Sequence, residues 1–379
     1  MAKNGYRIID SDLHLIEPDD LFQRYLDERF RSRAPRRDAS VVSGQNTWSV
    51  EGHPTPYWID FPQFRTANSR LWTKKEQIPF QVRAFERGFD APSTLEAMDI
   101  EGVDIAPVYR SAAGVLAVAT DGLDPEFRAA LCRAYNDWVA DYCSEDPSRL
   151  KGVALLPLQD IEFAVEEARR CVRDLGFIGV SLYPEPADGR VLYDPEVEPL
   201  WDELERLGTA VGVHGSSNST SKDEVSRRYL GHPAPRAVSH TVTFTFQTMG
   251  AMAGMIMGGV LARHPGLRVA FLEANCGWVS WYLYRLDDQW EKYADANVEE
   301  PPSRYFLRQC FVSMDSDEEV ADDVVRRWGD DFIIVSTDYP HADSPFPHAI
   351  DQFLALDLPE QTKRKVLWDN CARFYGIGP

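Results

Sequence analysis

The sequence predicts an α/β fold: a distorted (β/α)8 TIM barrel with a long insertion after the first strand. Three observations carry this. Short apolar runs alternate with helix-periodic segments, eight such runs can be counted, and metal-type ligands stand at the ends of three of them. Short apolar strands between amphipathic helices indicate a parallel sheet buried on both faces. Eight units over 379 residues favour a closed barrel over an open doubly wound sheet. The chain, 1–379, reads as a single domain.

The first strand covers 8–14 and closes with Asp12-Leu13-His14. Residues 17–92 follow, rich in Pro, Trp, Phe and Arg and without clear periodicity. An insertion of this length after a barrel strand is expected to cover the active site. A regular rhythm then begins. Strands are predicted over 103–109, 150–157, 178–183 and 209–214, with helices over 125–145, 161–175 and 196–207. A polar loop continues to about Ser239. The stretch 241–262 carries no charge, and Gly250, Gly254 and Gly258 recur in it at four-residue spacing. That spacing suits a membrane-helix dimer. Four threonines and a glutamine dilute the stretch, so a buried, closely packed helix is the better reading. Strands over 267–273, 308–313 and 332–337 alternate with helices over 278–293 and 318–328, and two helices finish the chain.

An apolar fraction of 44% is ample for a core. The net charge of −20 argues against nucleic-acid and anionic-membrane partners, because a phosphate surface needs a basic face. The six cysteines (132, 143, 171, 276, 310, 371) show no CxxC and no regular spacing. Reduced thiols in a cytoplasmic protein fit this better than disulfides or a zinc ribbon. The first residues, Met1-Ala2-Lys3-Asn4-Gly5, lack the apolar segment of a signal peptide. No Gly-x-Gly-x-x-Gly follows a strand, and the sequence holds no Walker loop, Gly-x-Ser-x-Gly elbow or repeat.

Asp12, His14, His214 and Asp338 fall at the carboxyl ends of strands one, five and eight, the face where barrel enzymes place their chemistry. Strand side chains alternate, so Asp12 and His14 share a face. Two imidazoles and two carboxylates converging there suit a hard or borderline divalent ion. Taken singly, each has a plainer role. Asp12 could cap a turn, His214 could be a satisfied core histidine, and Asp338 before Tyr339-Pro340 could be an Asx-turn residue. Their joint placement is what points to a metal.

Glu273 ends strand six and reads as a further ligand, a general acid or a partner holding a histidine. Its plainer role is a buried acceptor for the next loop. Tyr109-Arg110 ends strand two, where a guanidinium fork suits a substrate carboxylate. Tyr183, ending strand four, is a weaker case of the same kind. His240 and His341 could touch substrate or merely cap a loop. Ser216 and Ser217 beside His214 could donate hydrogen bonds, without an evident triad. His53, His232, His264 and His348 read as loop or surface histidines. Trp278 and Trp281, at i and i+3, suit core or subunit packing.

With these residues in place, the chain resembles the amidohydrolase-related family that includes aminocarboxymuconate semialdehyde decarboxylase, the resorcylate-type decarboxylases and related metal-dependent hydrolases. The matching pieces span nearly the whole sequence. They are Asp10-Ser11-Asp12-Leu13-His14-Leu15-Ile16-Glu17-Pro18, Met98-Asp99-Ile100-Glu101-Gly102-Val103-Asp104 and Val213-His214-Gly215-Ser216. Further on come His264-Pro265-Gly266-Leu267-Arg268-Val269, Ser336-Thr337-Asp338-Tyr339-Pro340-His341 and Asp369-Asn370-Cys371-Ala372-Arg373-Phe374-Tyr375-Gly376. The resemblance implies a distorted barrel binding one divalent ion, usually zinc or manganese, and often a dimer. It matches Asp12 and His14 to the first-strand ligand pair and His214 to the fifth-strand ligand. Asp338 matches the eighth-strand aspartate, both ligand and proton-transfer group. The sequence departs from the pattern at strand six. Many members carry a catalytic histidine there, whereas this chain reads Leu272-Glu273-Ala274.

The expected function is that of a metal-dependent hydrolase acting on a small, carboxylated, cyclic or aromatic substrate through a metal-activated water. Asp338 would move the proton, assisted by Glu273 or His240. The alternative is a non-oxidative decarboxylase of an aromatic or muconate-type acid, with Arg110 orienting the substrate. A third reading is a barrel that has lost catalysis and only binds a ligand. The ion is expected to be zinc, with manganese or iron as alternatives, since the donor set suits all three.

Overall fold

The computed structural model describes residues 3–42, 45–56, 78–186, 188–216, 225, 235–341 and 344–378. In chain order the strands are β1 (Leu13–His14), β2 (Arg36–Val42), β3 (Gln45–Val50), β4 (His53–Pro56), β5 (Ala106–Tyr109), β6 (Leu150–Leu155), β7 (Gly179–Leu182), β8 (Ala210–His214), β9 (Arg268–Leu272), β10 (Cys310–Asp315) and β11 (Ile333–Ser336). Eight of them form a nearly closed parallel barrel in the order β1-β5-β6-β7-β8-β9-β10-β11. The first strand is tied to the last by Ser11 N–H donating to Val335 O at 2.9 Å and His14 N–H donating to Tyr339 O at 2.8 Å. Strand residues are buried almost throughout, as expected where helices cover the outer face.

Most predicted elements are found within two or three residues of their expected bounds. The helix expected over 161–175 spans Ile161–Arg173, with Asp160 accepting from Phe163 N–H at its start. The helix expected over 196–207 begins as a 3-10 turn at Pro195–Val197 and ends at Leu207, where Gly208 takes a left-handed conformation. Two regions differ. The strand expected over 308–313 starts two residues later, because Pro302–Gln309 forms a helix with a proline in its first turn. The helix expected after Ser239 starts at Pro235 and runs to Met257. Gly254 and Gly258 there leave room for the Tyr193 ring, which a Cβ at either position would meet at 2.3 and 2.9 Å. Among the described residues no helix is long and apolar enough to cross a membrane.

The segment read as irregular has structure of its own. It holds a helix, Leu21–Tyr25, an antiparallel sheet in the order β2-β3-β4 and a helix, Pro79–Glu86. Its Trp48 is buried against Phe22. β3 packs on the apolar helix Ala112–Ala119, itself not expected, which follows β5. Residues 57–77 of the insertion lie outside the described residues.

His264 is not a surface histidine. It is 3% exposed, with Nε2 2.9 Å from Glu198 and Nδ1 3.3 Å from Glu205. A buried ring with an acid at each nitrogen ties two helices together. His348 is exposed, His53 lies on β4, and His232 lies outside the described residues. Trp281 is 59% exposed, so the core reading does not hold for it; Trp278 is partly buried, its Nε1–H donating to Ala274 O.

Candidate metal centre

The strand register sets the ligands at one level. His14 pairs with Tyr109, and His214 pairs with Leu272, so β1, β5, β8 and β9 end together. Glu273 directly follows β9 and Asp338 lies two residues beyond β11, and both adopt left-handed backbone, with φ of 51° and 54°. That conformation costs a non-glycine residue about 1–3 kcal/mol, and it concentrates at functional sites. Serine hydroxyls hold both turns: Glu273 N–H donates to Ser313 Oγ and Asp338 N–H to Ser336 Oγ, each at 2.9 Å.

The histidine tautomers follow from their partners. His14 Nδ1 lies 2.8 Å from Arg110 O, and His214 Nδ1 lies 2.9 Å from Gly215 O. A carbonyl only accepts, so each Nδ1 carries the hydrogen and each Nε2 presents a lone pair. The two Nε2 atoms are 3.2 Å apart. Glu273 Oε2 lies 3.1 Å from His214 Nε2 and 3.5 Å from His14 Nε2, and Asp338 Oδ1 lies 3.5 Å from His14 Nε2. Lone pairs facing one another this closely repel unless a proton or cation lies between them. Two nitrogens bound to a tetrahedral zinc at the usual bond length would stand roughly 3.3 Å apart. The donor set therefore fits a divalent ion.

Electrostatics agree. Burial, then the neighbouring His341, pushes His14 down to about 3, so its imidazole is neutral, as a ligand must be. Burial opposes ionisation of Glu273, and the His14 and His214 rings hold its carboxyl well below the usual range only with a proton at Nε2, where an ion would otherwise supply the positive charge. Asp12 is buried, which pushes its carboxyl up. Its Oδ1 accepts from Ser11 Oγ at 2.8 Å, while its Oδ2 is buried without a hydrogen bond. An orphaned carboxylate oxygen beside a cluster of ligands is what a cation would satisfy. Below it, burial and the Asp12 charge push Asp10 up to about 7, and Asp10 accepts from the Thr337 hydroxyl and backbone.

His14, Glu273, Asp338 and His341 form a metal-type group whose ligand atoms all lie within 4.8 Å of one another. His214 adjoins it through the contacts above. The sequence placed Asp12, His14, His214 and Asp338 together as ligands, with Glu273 as a further candidate; the group within 4.8 Å holds His14, Glu273 and Asp338 of these, and the structure adds His341 to it. His341 Nδ1 lies 2.8 Å from Asp338 Oδ1, its Nε2 lies 3.1 Å from Ser111 Oγ, and its ring stacks on His14 with centroids 4.0 Å apart. The Asp-x-x-His spacing of a single turn was the available signal, since His341 N–H also donates to Asp338 O at 2.9 Å. Ser111 had none.

The other named residues lie around this core. Arg110 is buried and its Nη2 donates to His214 O at 2.6 Å, so its guanidinium supports the ligand loop. Tyr109 stacks on His214 at 5.5 Å and its hydroxyl meets that of Tyr375 at 2.8 Å. Tyr183 donates to Ser216 O at 3.3 Å and accepts from Gln247, which also donates to Glu185. His240 rests on Phe244, with centroids 4.9 Å apart, and is not among the gathered ligand atoms. Ser217 lies outside the described residues.

Residues 9–377 match the family profile described as amidohydrolase. The gamma-resorcylate decarboxylase of Rhodococcus jostii (strain RHA1) is 30% identical over 299 residues, covering 75% of this chain and 86% of that protein. The 2-amino-3-carboxymuconate-6-semialdehyde decarboxylase of Dictyostelium discoideum is 29% identical over 331 residues, covering 85% of this chain and 81% of that protein. Among solved structures, an amidohydrolase of Mycobacterium avium subsp. paratuberculosis K-10 superposes with a TM-score of 0.79 over 98% of this chain and 100% of its own. At 22% identity it shows the fold alone. The barrel, the ligand cluster at its carboxyl-terminal mouth and the match over nearly the whole sequence lead to one conclusion: this chain belongs to the amidohydrolase family.

Proposed function

We propose that the protein is a metal-dependent, non-oxidative carboxy-lyase acting on a small aromatic or muconate-type acid. One observation carries this: the two relatives matched over 75% and 85% of the chain are both decarboxylases. They give the hydrolytic reading no such support. The whole chain would act as one catalytic domain, with the segment 17–92 as its cover.

Asp12, His14, His214 and Asp338 would hold the ion, with Glu273 beside both imidazoles as a further ligand. Bound there, a divalent ion would supply positive charge for the substrate's carboxylate and a neighbouring oxygen. Asp338 is the proton-bearing group. As the bond to the carboxylate breaks, its electron pair stays on the ring carbon and takes the Asp338 proton, and carbon dioxide leaves. Solvent then returns a proton to Asp338. Arg110 acts by holding His214, since its guanidinium is already committed to that loop. Tyr183 stands at the end of β7, beside Ser216, where it can meet a substrate ring. Trp281 and Tyr284, both exposed on the helix Val279–Lys292, suit the homodimer that the family resemblance implies.

The test is turnover of a panel of hydroxybenzoic acids, led by gamma-resorcylate, by protein loaded with zinc or manganese in turn. Carbon dioxide release that depends on the loaded ion supports the reading and ranks the metals. Acid release from lactones or amides, without carbon dioxide from any acid in the panel, would replace it by hydrolysis.

A further inference from the structure

The missing strand-six histidine raises the question of what holds the proton-bearing carboxylate in place. His341 lies against Asp338, and three hydrogen bonds run from Asp338 through His341 and Ser111, a residue with no assigned role, to Glu17. Glu17 Oε1 accepts from Ser111 N–H at 2.9 Å, Ser111 Oγ meets His341 Nε2 at 3.1 Å, and His341 Nδ1 meets Asp338 Oδ1 at 2.8 Å. We propose that Ser111 is a positioning residue for Asp338, acting through His341; this rests on the carboxy-lyase reading above.

The directions follow from donor chemistry. With its proton carried on Oδ2, Asp338 still accepts at Oδ1, so His341 Nδ1 carries the hydrogen toward Asp338. The neutral ring then has a lone pair at Nε2, and Ser111 Oγ–H is the donor that satisfies it. Ser111 thereby selects one tautomer, the one that aims an N–H at Asp338. Both nitrogens of His341 are occupied, so binding an ion through either would break one of these bonds. His341 accordingly serves Asp338 rather than the metal.

Ser111 is itself fixed. It is buried, it directly follows Arg110 at the end of β5, and it precedes the helix Ala112–Ala119. Glu17 is buried too and also accepts from Gly114 N–H at 3.2 Å, so one carboxylate clamps the first turn of that helix and the backbone of Ser111. Glu17 closes the first-strand motif, and Ser111 follows the second barrel strand. The arrangement joins three parts of the barrel mouth: the segment after β1, the turn after β5 and the turn after β11.

The experiment compares metal-saturated wild-type protein with Ser111→Ala, Ser111→Thr and His341→Gln. Ser111→Ala is expected to keep its metal and its KM and to lose roughly 10–100-fold in kcat for carbon dioxide release, the range seen when an outer partner of a ligand is removed. Ser111→Thr, which keeps the hydroxyl, should recover most of that loss. Nitrogen-15 spectra of histidine-labelled holoprotein should show His341 as the Nδ1–H tautomer, and a tautomer mixture in Ser111→Ala. His341→Gln should retain the ion. Loss of the ion from His341→Gln would make His341 a ligand and overturn the proposal. So would wild-type kcat in Ser111→Ala, or an unchanged tautomer. If wild-type protein releases no carbon dioxide from any acid, the carboxy-lyase reading fails separately. The tautomer spectra then decide the positioning role alone.

Discussion

At the scale of single residues, the centre is made of groups that gain little from each other without a cation. His14 and His214 turn lone pairs toward one another at 3.2 Å, and Asp12 keeps a buried oxygen unpaired. His214→Ala should therefore purify folded but without metal and without activity, which elemental analysis and circular dichroism can check together. Full activity in a metal-free His214→Ala protein would refute the assigned centre. His14 makes a prediction about pH. Its folded value of about 3 lies below the ordinary histidine value, so an unfolded chain binds a proton that the fold rejects. In metal-free protein this contribution is fully present above about pH 6.5 and is lost as pH falls towards 3. The loss has a limiting slope of about 1.4 kcal/mol per pH unit. His14→Asn should flatten that part of the profile relative to wild type, as urea unfolding at several pH values after chelation would show.

At the scale of elements, the strands place the ligands and a few small residues let them approach. Gly212 on β8 faces the Tyr109 ring inside the barrel, and a Cβ there would lie 2.3 Å from the Tyr109 hydroxyl. That hydroxyl cannot retreat freely, because it is bonded to Tyr375, whose own hydroxyl donates to Ser11 O at 2.6 Å. Gly212→Ala should cost about 1–3 kcal/mol through overpacking. Because Tyr109 stacks on His214, it should also weaken metal retention. A denaturant midpoint and a metal titration on the same protein separate the two effects. A similar logic explains the strained residues. Glu273 and Asp338 take left-handed backbone at the first position beyond β9 and the second beyond β11, where the chain must turn and a carboxylate must still face the mouth.

At the scale of the whole molecule, the ion would join β1, β8, β9 and the turn after β11, elements far apart in the chain. Its binding is thus linked to stability. Any ligand that binds only the folded state stabilises it by about 4 kcal/mol at a free concentration a thousandfold above its dissociation constant. Chelation should lower the melting temperature by several degrees, and reloading should restore it; calorimetry with and without chelator reads this directly. A melting temperature unmoved by chelation would mean that the ion does not bridge these strands.

The periodic part of this protein was legible along the chain. Alternation of apolar runs and helical segments fixed eight parallel strands in order, and strand-end positions picked out Asp12, His14, His214, Glu273 and Asp338. The strands were legible because strand periodicity is a local rule that each residue obeys alone, and the carboxyl-terminal face of a barrel is where such candidate ligands are sought. The sheet of β2, β3 and β4 was not legible, since its short strands pair with one another and carry no long alternating pattern. Tertiary structure alone decided the remaining matters. It committed Arg110 to His214, brought His341 into the cluster, and set Ser111 against a histidine 230 residues away. Such contacts depend on which strands become neighbours when the barrel closes, and on the direction each turn gives its side chain. Neither is encoded in the spacing of residues along the chain.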